Sequence, residues 1–223
     1  MFKSSRSESS ESGNLPTSKQ QRLLGAIAVL VVISLLTSAG GSPIEHTVSN
    51  AWEGLIWGIA DPVISLDRFA GILALGLFSA KFVRGYWFNA TFIIAAICGQ
   101  LINLSPVMLP GHTIAIATCT IALGVMLVTP ISINWLAIAL LSATAGIFQG
   151  YADATSIIGA GIFTAITYVI GVTLTQTAII MSAREIGINF GINEANQILP
   201  KIIRFTGLVF CAIGIVFLGY SVI

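Results

Sequence analysis

The sequence predicts an all-α fold: a polytopic bundle of about seven transmembrane helices, or six if the first apolar run is a cleaved signal peptide. Two observations carry this reading. The chain is 56% hydrophobic and only 9% charged, with a mean hydropathy of +0.94, whereas soluble domains carry about 25% charged residues. The charges also cluster, with six in residues 1–22, five from Arg184 to Arg204, and Asp153 alone between Gly85 and Ala183. A surface so poor in charge suits lipid rather than water.

The elements follow in order. Residues 1–22 are Ser-rich with mixed charges, cannot bury a core, and read as a disordered cytoplasmic tail. Residues 23–223 form one transmembrane domain. Leu23–Leu36 is a clean apolar run with two readings. Lys19 and Arg22 before it and Thr37-Ser38-Ala39 after it fit a signal peptide, while the long polar leader favours a retained first helix. Asn50–Val83 is too long for one straight span and contains Pro62, so a kink is expected near Asp61-Pro62, with the spanning portion over Val63–Phe82. Phe88–Leu104, Thr113–Val128, Trp135–Tyr151 and Ser156–Ser182 are the next spans, parted by turns at Pro106/Pro110-Gly111 and Thr129-Pro130. A polar loop, Arg184–Lys201, precedes the last, Ile202–Val222.

With the N-terminal tail in the cytoplasm and the sides alternating, nine of the ten basic residues fall on the cytoplasmic side. The exception, Arg68, lies within a span. The C-terminus, His46 and Gly111 then lie outside. Trp52, Trp57, Trp87 and Trp135 read as interfacial anchors, and His46 and His112 as loop residues. Cys98, Cys119 and Cys211 sit singly in apolar runs and form no zinc or disulfide pattern. A net charge of +1 gives no sign of nucleic-acid binding. No nucleophile–base pair or phosphate loop is visible, so the expectation is that the chain is not an enzyme, and no cofactor is indicated.

Ionisable residues within spans cost about 2.5–3.5 kcal/mol or more at a helix centre, so the few present are informative. Asp61, Asp67 and Arg68 lie in GIADPVISLDR. On a continuous helix Asp61 and Arg68 would share a face, about 10 Å apart. An arginine keeps its charge, and the expected partner of Arg68 is Asp61 or Asp153, since Asp67 points elsewhere around the helix. In FQGYADA, Gln149 and Asp153 stack one turn apart. Ser142, Gly146 and Gly150 form a small-residue stripe that invites close helix packing, and the Asp61–Arg68 helix is the expected neighbour. Asp61 and Asp153 each end a G-x-A-D string, GIAD and GYAD. Thr173, Thr175, Gln176 and Thr177 read as interhelical hydrogen-bonding groups.

These two charged segments resemble motifs of the HupE/UreJ family of hydrogenase and urease accessory membrane proteins, regarded as nickel permeases. The first family pattern, H-P-x-x-G-x-D-H-L-L-A-M-x-A-x-G, is similar to the stretch from Asp61-Pro62 through Asp67-Arg68 to Gly76. The second, F-H-G-x-A-H-G, is similar to Phe148–Ala154, and the Leu109-Pro110-Gly111 turn with its following Ile-Ala-rich helix also fits. The resemblance runs from about Trp52 to Ser182.

The departures are specific. Asp61 and Arg68 stand where the first motif has histidines, and Gln149 and Asp153 where the second has them. Asp67 is kept. The resemblance implies a metal site at Asp61, Asp67, Gln149 and Asp153, with Arg68 as a fixed cation beside it. Oxygen ligands suit harder ions than nickel, so the implied substrate is a divalent cation of that kind. The other reading is a non-transporting assembly or scaffold protein in which Asp61, Asp67, Asp153 and Arg68 form a structural ion-pair network. The expected surroundings are the lipid bilayer and partner membrane proteins, in a bacterial inner membrane or an internal membrane.

Overall fold

The computed structural model describes residues 18–37, 48–105, 107–129, 134–191 and 198–222. All its regular structure is helical: α1 (Ser18–Thr37), α2 (Ala51–Ile64), α3 (Leu66–Ser79), α4 (Tyr86–Asn103), α5 (His112–Val128), α6 (Trp135–Asp153), a 3-10 turn (Ala154–Ile157), α7 (Ile162–Gly191) and α8 (Ile198–Val222). His46, residues 1–17 of the tail and the Pro106 and Pro130 turns lie outside the described residues. The helical-bundle class expected from composition is the one observed.

Among the described residues, Trp135–Ile157, Ile162–Asn189 and Arg204–Val222 are long and apolar enough to cross a bilayer, and α2 with α3 makes a fourth span if the bent pair counts as one. Gln21–Thr37 and His112–Val128 are shorter apolar helices. The strict length-and-composition count is therefore lower than the seven spans read from the sequence. A 17-residue helix such as α5 is only about 25 Å long, less than the hydrocarbon core.

The expected kink at Asp61-Pro62 lies elsewhere. Pro62 sits inside α2, and the break comes three residues later at Ser65, where the backbone is extended (φ −89°, ψ 108°) and the two helices bend by 77°. Pro62 removes the N–H that would bond Gly58 and crowds the turn before it. The chain restarts at SLDR: Ser65 occupies the N-cap position without a side-chain cap bond, and Asp67 lies in the first turn, where a negative charge meets the positive end of the helix dipole. From α1, the Thr37 hydroxyl lies 2.8 Å from the Ile64 carbonyl, at the end of α2.

Backbones approach closely wherever glycine allows. Gly54 lies against Thr164 and Gly58 against Tyr168, so α2 and α7 run parallel. Gly76 continues the contact along α3 against Ile180 and Ala183. Gly146 lies against Phe92 and Gly150 against Ala96, so α4 and α6 are also parallel. Gly207 meets Gly124 and Leu127 while Gly214 meets Ala117, which makes α5 and α8 antiparallel. The stripe of Ser142, Gly146 and Gly150 thus packs on α4 rather than on the Asp61–Arg68 helix. The bend at Ser65 carries α3 away along α7, and Gly99 on α4 supplies the answering small residue, against Ile147 and Tyr151.

The ends of the bundle differ in charge. Lys81, just past α3, donates to the Met126 and Leu127 carbonyls at 2.9 and 3.0 Å, capping the C-terminal end of α5. Partial burial lowers the pKa of Lys81, and the nearby positive charge of Arg204 lowers it further. Gly187 touches Ala80, which brings Arg184 to the same end. The opposite end carries the His112–Tyr151 ring contact and Asn103. Trp52, Trp87 and Trp135 are all well exposed near helix starts.

This packing makes a sharp prediction. A methyl at Gly150 would run into the Ala96 backbone, whereas one at Gly219 on α8 meets nothing. Gly150→Ala should cost about 1–3 kcal/mol of stability through overpacking, and Gly219→Ala should be neutral or mildly stabilising. Thermal unfolding in lipid nanodiscs measures both; equal midpoints for the two variants would contradict the α4–α6 contact.

Candidate functional site

The break at Ser65 places the start of α3 beside the end of α6, where the polar side chains of both meet. Arg68, in the first turn of α3, pairs with Asp153, the last residue of α6: Nη1 lies 3.1 Å from Oδ1. The Asp153 side chain is fully buried and that of Arg68 only 11% exposed. Gln176 on α7 donates from Nε2 to the other carboxylate oxygen of Asp153 at 2.8 Å. Asp153 therefore has one partner on each oxygen, from two different helices.

Asp61 joins the cluster through Tyr168. The Tyr168 hydroxyl lies 2.5 Å from Asp61 Oδ2 and 2.5 Å from the Asp153 backbone carbonyl. A tyrosine hydroxyl carries one proton and so donates to one of these oxygens at a time. Ser156, in the 3-10 turn, adds a longer contact to Asp61 Oδ2 at 3.3 Å. Gln149, one turn before Asp153, donates from Nε2 to the Arg68 carbonyl at 3.2 Å. The G-x-A-D echo has a physical sense in both copies. Gly58 and Gly150 are the close-packing glycines, and the aspartate three residues on is carried into the interior beside them.

The structure thus brings together Asp61, Arg68, Gln149 and Asp153. Asp67 stands apart: it is half-buried in the first turn of α3 and makes no hydrogen bond or ion pair among the described residues. Among the described residues, no three His, Cys, Asp or Glu side chains gather closely enough to hold a metal ion. Of the expected partners of Arg68, Asp153 is the one that forms the ion pair.

Sequence reading missed Tyr168 and Ser156 altogether, and placed Gln176 only as a generic interhelical donor. The signal for Tyr168 was faint, the single phenol of α7, whose hydroxyl must find an acceptor when buried. Tyr168 is fully buried. Thr173 and Thr177 stay local: Thr177 bonds to the Thr173 carbonyl at 2.7 Å, and the buried Thr173 hydroxyl oxygen has no partner among the described residues.

Residues 29–217 match the family model described as HupE / UreJ protein. No curated protein and no solved structure gives a significant match.

Tyr168→Phe removes the donor shared by Asp61 and Asp153 and should cost about 1–3 kcal/mol, because buried acceptors are left unmet. Thr173→Val removes a hydroxyl that satisfies nothing and should be nearly neutral. Chemical unfolding of both variants in detergent measures the difference. A Tyr168→Phe protein as stable as Thr173→Val would show that the phenol does not tie α2 to α6 and α7.

Proposed function

Because the chain belongs to the HupE/UreJ family, we propose that it is an accessory membrane protein that works through contacts with other membrane proteins, its central polar site closed by its own cation. The observation that supports this is the Arg68–Asp153 pair. Asp153 is the most buried acid of the cluster, and a guanidinium and an amide already satisfy both of its oxygens. A divalent ion at Asp153 would have to displace a group that stays charged at every accessible pH and would then sit beside it. The imidazoles that would bind nickel are absent from the cluster. On the positive-inside rule the end bearing Lys81, Arg184 and Arg204 faces the cytoplasm, in a bacterial inner membrane or an internal one.

A second reading, passage of an oxygen-preferring divalent cation as substrate along Asp61, Asp67, Gln149 and Asp153, is favoured by one observation. Gln176 Oε1, on the amide that binds Asp153, is buried and meets no donor among the described residues. An oxygen so placed is free to accept from a donor or a cation.

Thermal unfolding of the purified protein with Ni²⁺, Mn²⁺ or Mg²⁺ separates the readings. A bound ion at 100 times its Kd would stabilise the fold by about 2.7 kcal/mol. The closed-site reading predicts no change in midpoint with any of the three at millimolar concentration, and no uptake by proteoliposomes. A shift with Mn²⁺ or Mg²⁺ that disappears in Asp153→Asn would establish the second reading instead.

A further inference from the structure

The inner face of α4 carries amides that the site above does not use. Gln100 is fully buried, and neither its Nε2 nor its Oε1 has a partner among the described residues. One turn on, Asn103 is 9% exposed. Its Nδ2 donates to the Tyr151 carbonyl at 2.7 Å while its Oδ1 is buried without a partner. The helix begins just after the Lys81–Arg84 segment, so Asn103 lies at the end of the bundle away from the basic residues.

The register of α4 on α6 fixes the depth of Gln100. Gly146 faces Phe92 and Gly150 faces Ala96. Gly99 lies against Ile147 and Tyr151, and Asn103 bonds the Tyr151 carbonyl, so Gln100 comes level with about Tyr151, within one turn of Asp153. Between the end of the bundle away from the basic residues and the depth of the Arg68–Asp153 pair there are therefore three unpartnered amide atoms: Gln100 Nε2, Gln100 Oε1 and Asn103 Oδ1. Each would cost several kcal/mol if left unmet in a hydrocarbon setting. Lipid cannot satisfy them, and the neighbouring Gly99 and Ala96 bring only packed backbone. A buried water needs two to four polar partners; one donor and two acceptors within a single helical turn meet that requirement.

We propose that Gln100 and Asn103 line a water-binding vestibule that enters the bundle at the end opposite the basic residues and reaches the level of the Arg68–Asp153 pair. Its ligand is water, one or two molecules held by these three amide atoms. Asn103 stands at the mouth and Gln100 at the floor. Ala96, one turn below Gln100 and fully buried, marks where the dry helix contact begins. The inference does not depend on whether the ion-pair site is closed or passes a cation.

The test uses the full chain in membrane vesicles, with Cys98, Cys119 and Cys211 replaced by serine. A thiol reacts as the thiolate, which forms where water reaches it, so a membrane-impermeant methanethiosulfonate sulfonate reports hydration. Applied from the side away from the basic end, it should modify Gln100→Cys at least about tenfold faster than Ala96→Cys, and adding Asn103→Leu at the mouth should slow that reaction. Equal inertness of the two cysteines would overturn the proposal. Should the cysteine variant fail to fold, Gln100→Glu decides: a hydrated floor accepts the carboxylate with a melting point near that of the parent, and a dry one unfolds the protein.

Discussion

A guanidinium at membrane depth cannot shed its charge, and the protein is arranged around that fact. Arg68 needs a carboxylate within reach, and Asp153 supplies it at 3.1 Å with almost no exposure on either side. Taking both charges out of water costs several kcal/mol per ion, which is offset only when geometry is good and the remaining polar atoms are satisfied. Gln176 supplies one such bond, and Tyr168 bonds the Asp153 backbone. The pair thereby ties three helices, α3, α6 and α7, and through Tyr168 a fourth, α2. The bend at Ser65 is part of the same arrangement, because it gives Arg68 a helix axis different from that of Asp61.

Around this centre the frame is held by backbone contact. Helices in lipid gain little from burying apolar side chains against one another, since the tails are equally apolar, and small residues that permit close packing do the work instead. Gly54 and Gly58 seat α2 on α7, Gly146 and Gly150 seat α6 on α4, and Gly124, Gly207 and Gly214 join α5 to α8. Two of these contacts end in an aspartate three residues past the glycine. Close approach and buried charge are coupled there: a tight parallel pair fixes the depth at which each carboxylate meets its partners.

Much of this was legible in the sequence, and the reasons for the rest are physical. Composition gave the helical membrane class, and the rarity of charge between Gly85 and Ala183 singled out Asp153. Pro62 announced a break in the Asn50–Val83 segment but not its position, since a proline disturbs the turn before it while the chain gives way wherever a new helix can start. Here that was the Ser65–Asp67 start signal. The small-residue stripe on α6 was evident, but its partner was not, because a stripe says that something packs closely and not what. Tyr168 and Ser156 were invisible as site residues, because each meets Asp61 from a point distant in sequence, and Gln100 stands out only once its burial is known.

The central claim is that Arg68 and Asp153 stabilise the bundle as a pair, and a double-mutant cycle tests it most directly. Arg68→Ala and Asp153→Ala, each alone, leave a buried survivor and should each cost about 3–5 kcal/mol. The double variant should recover much of that loss, giving a coupling energy well above the scatter of independent sites, about 0.3–0.5 kcal/mol. Measured by reversible unfolding in detergent, additive losses would contradict the account, because they would mean that each residue is held by other partners and the pair contributes nothing as a unit.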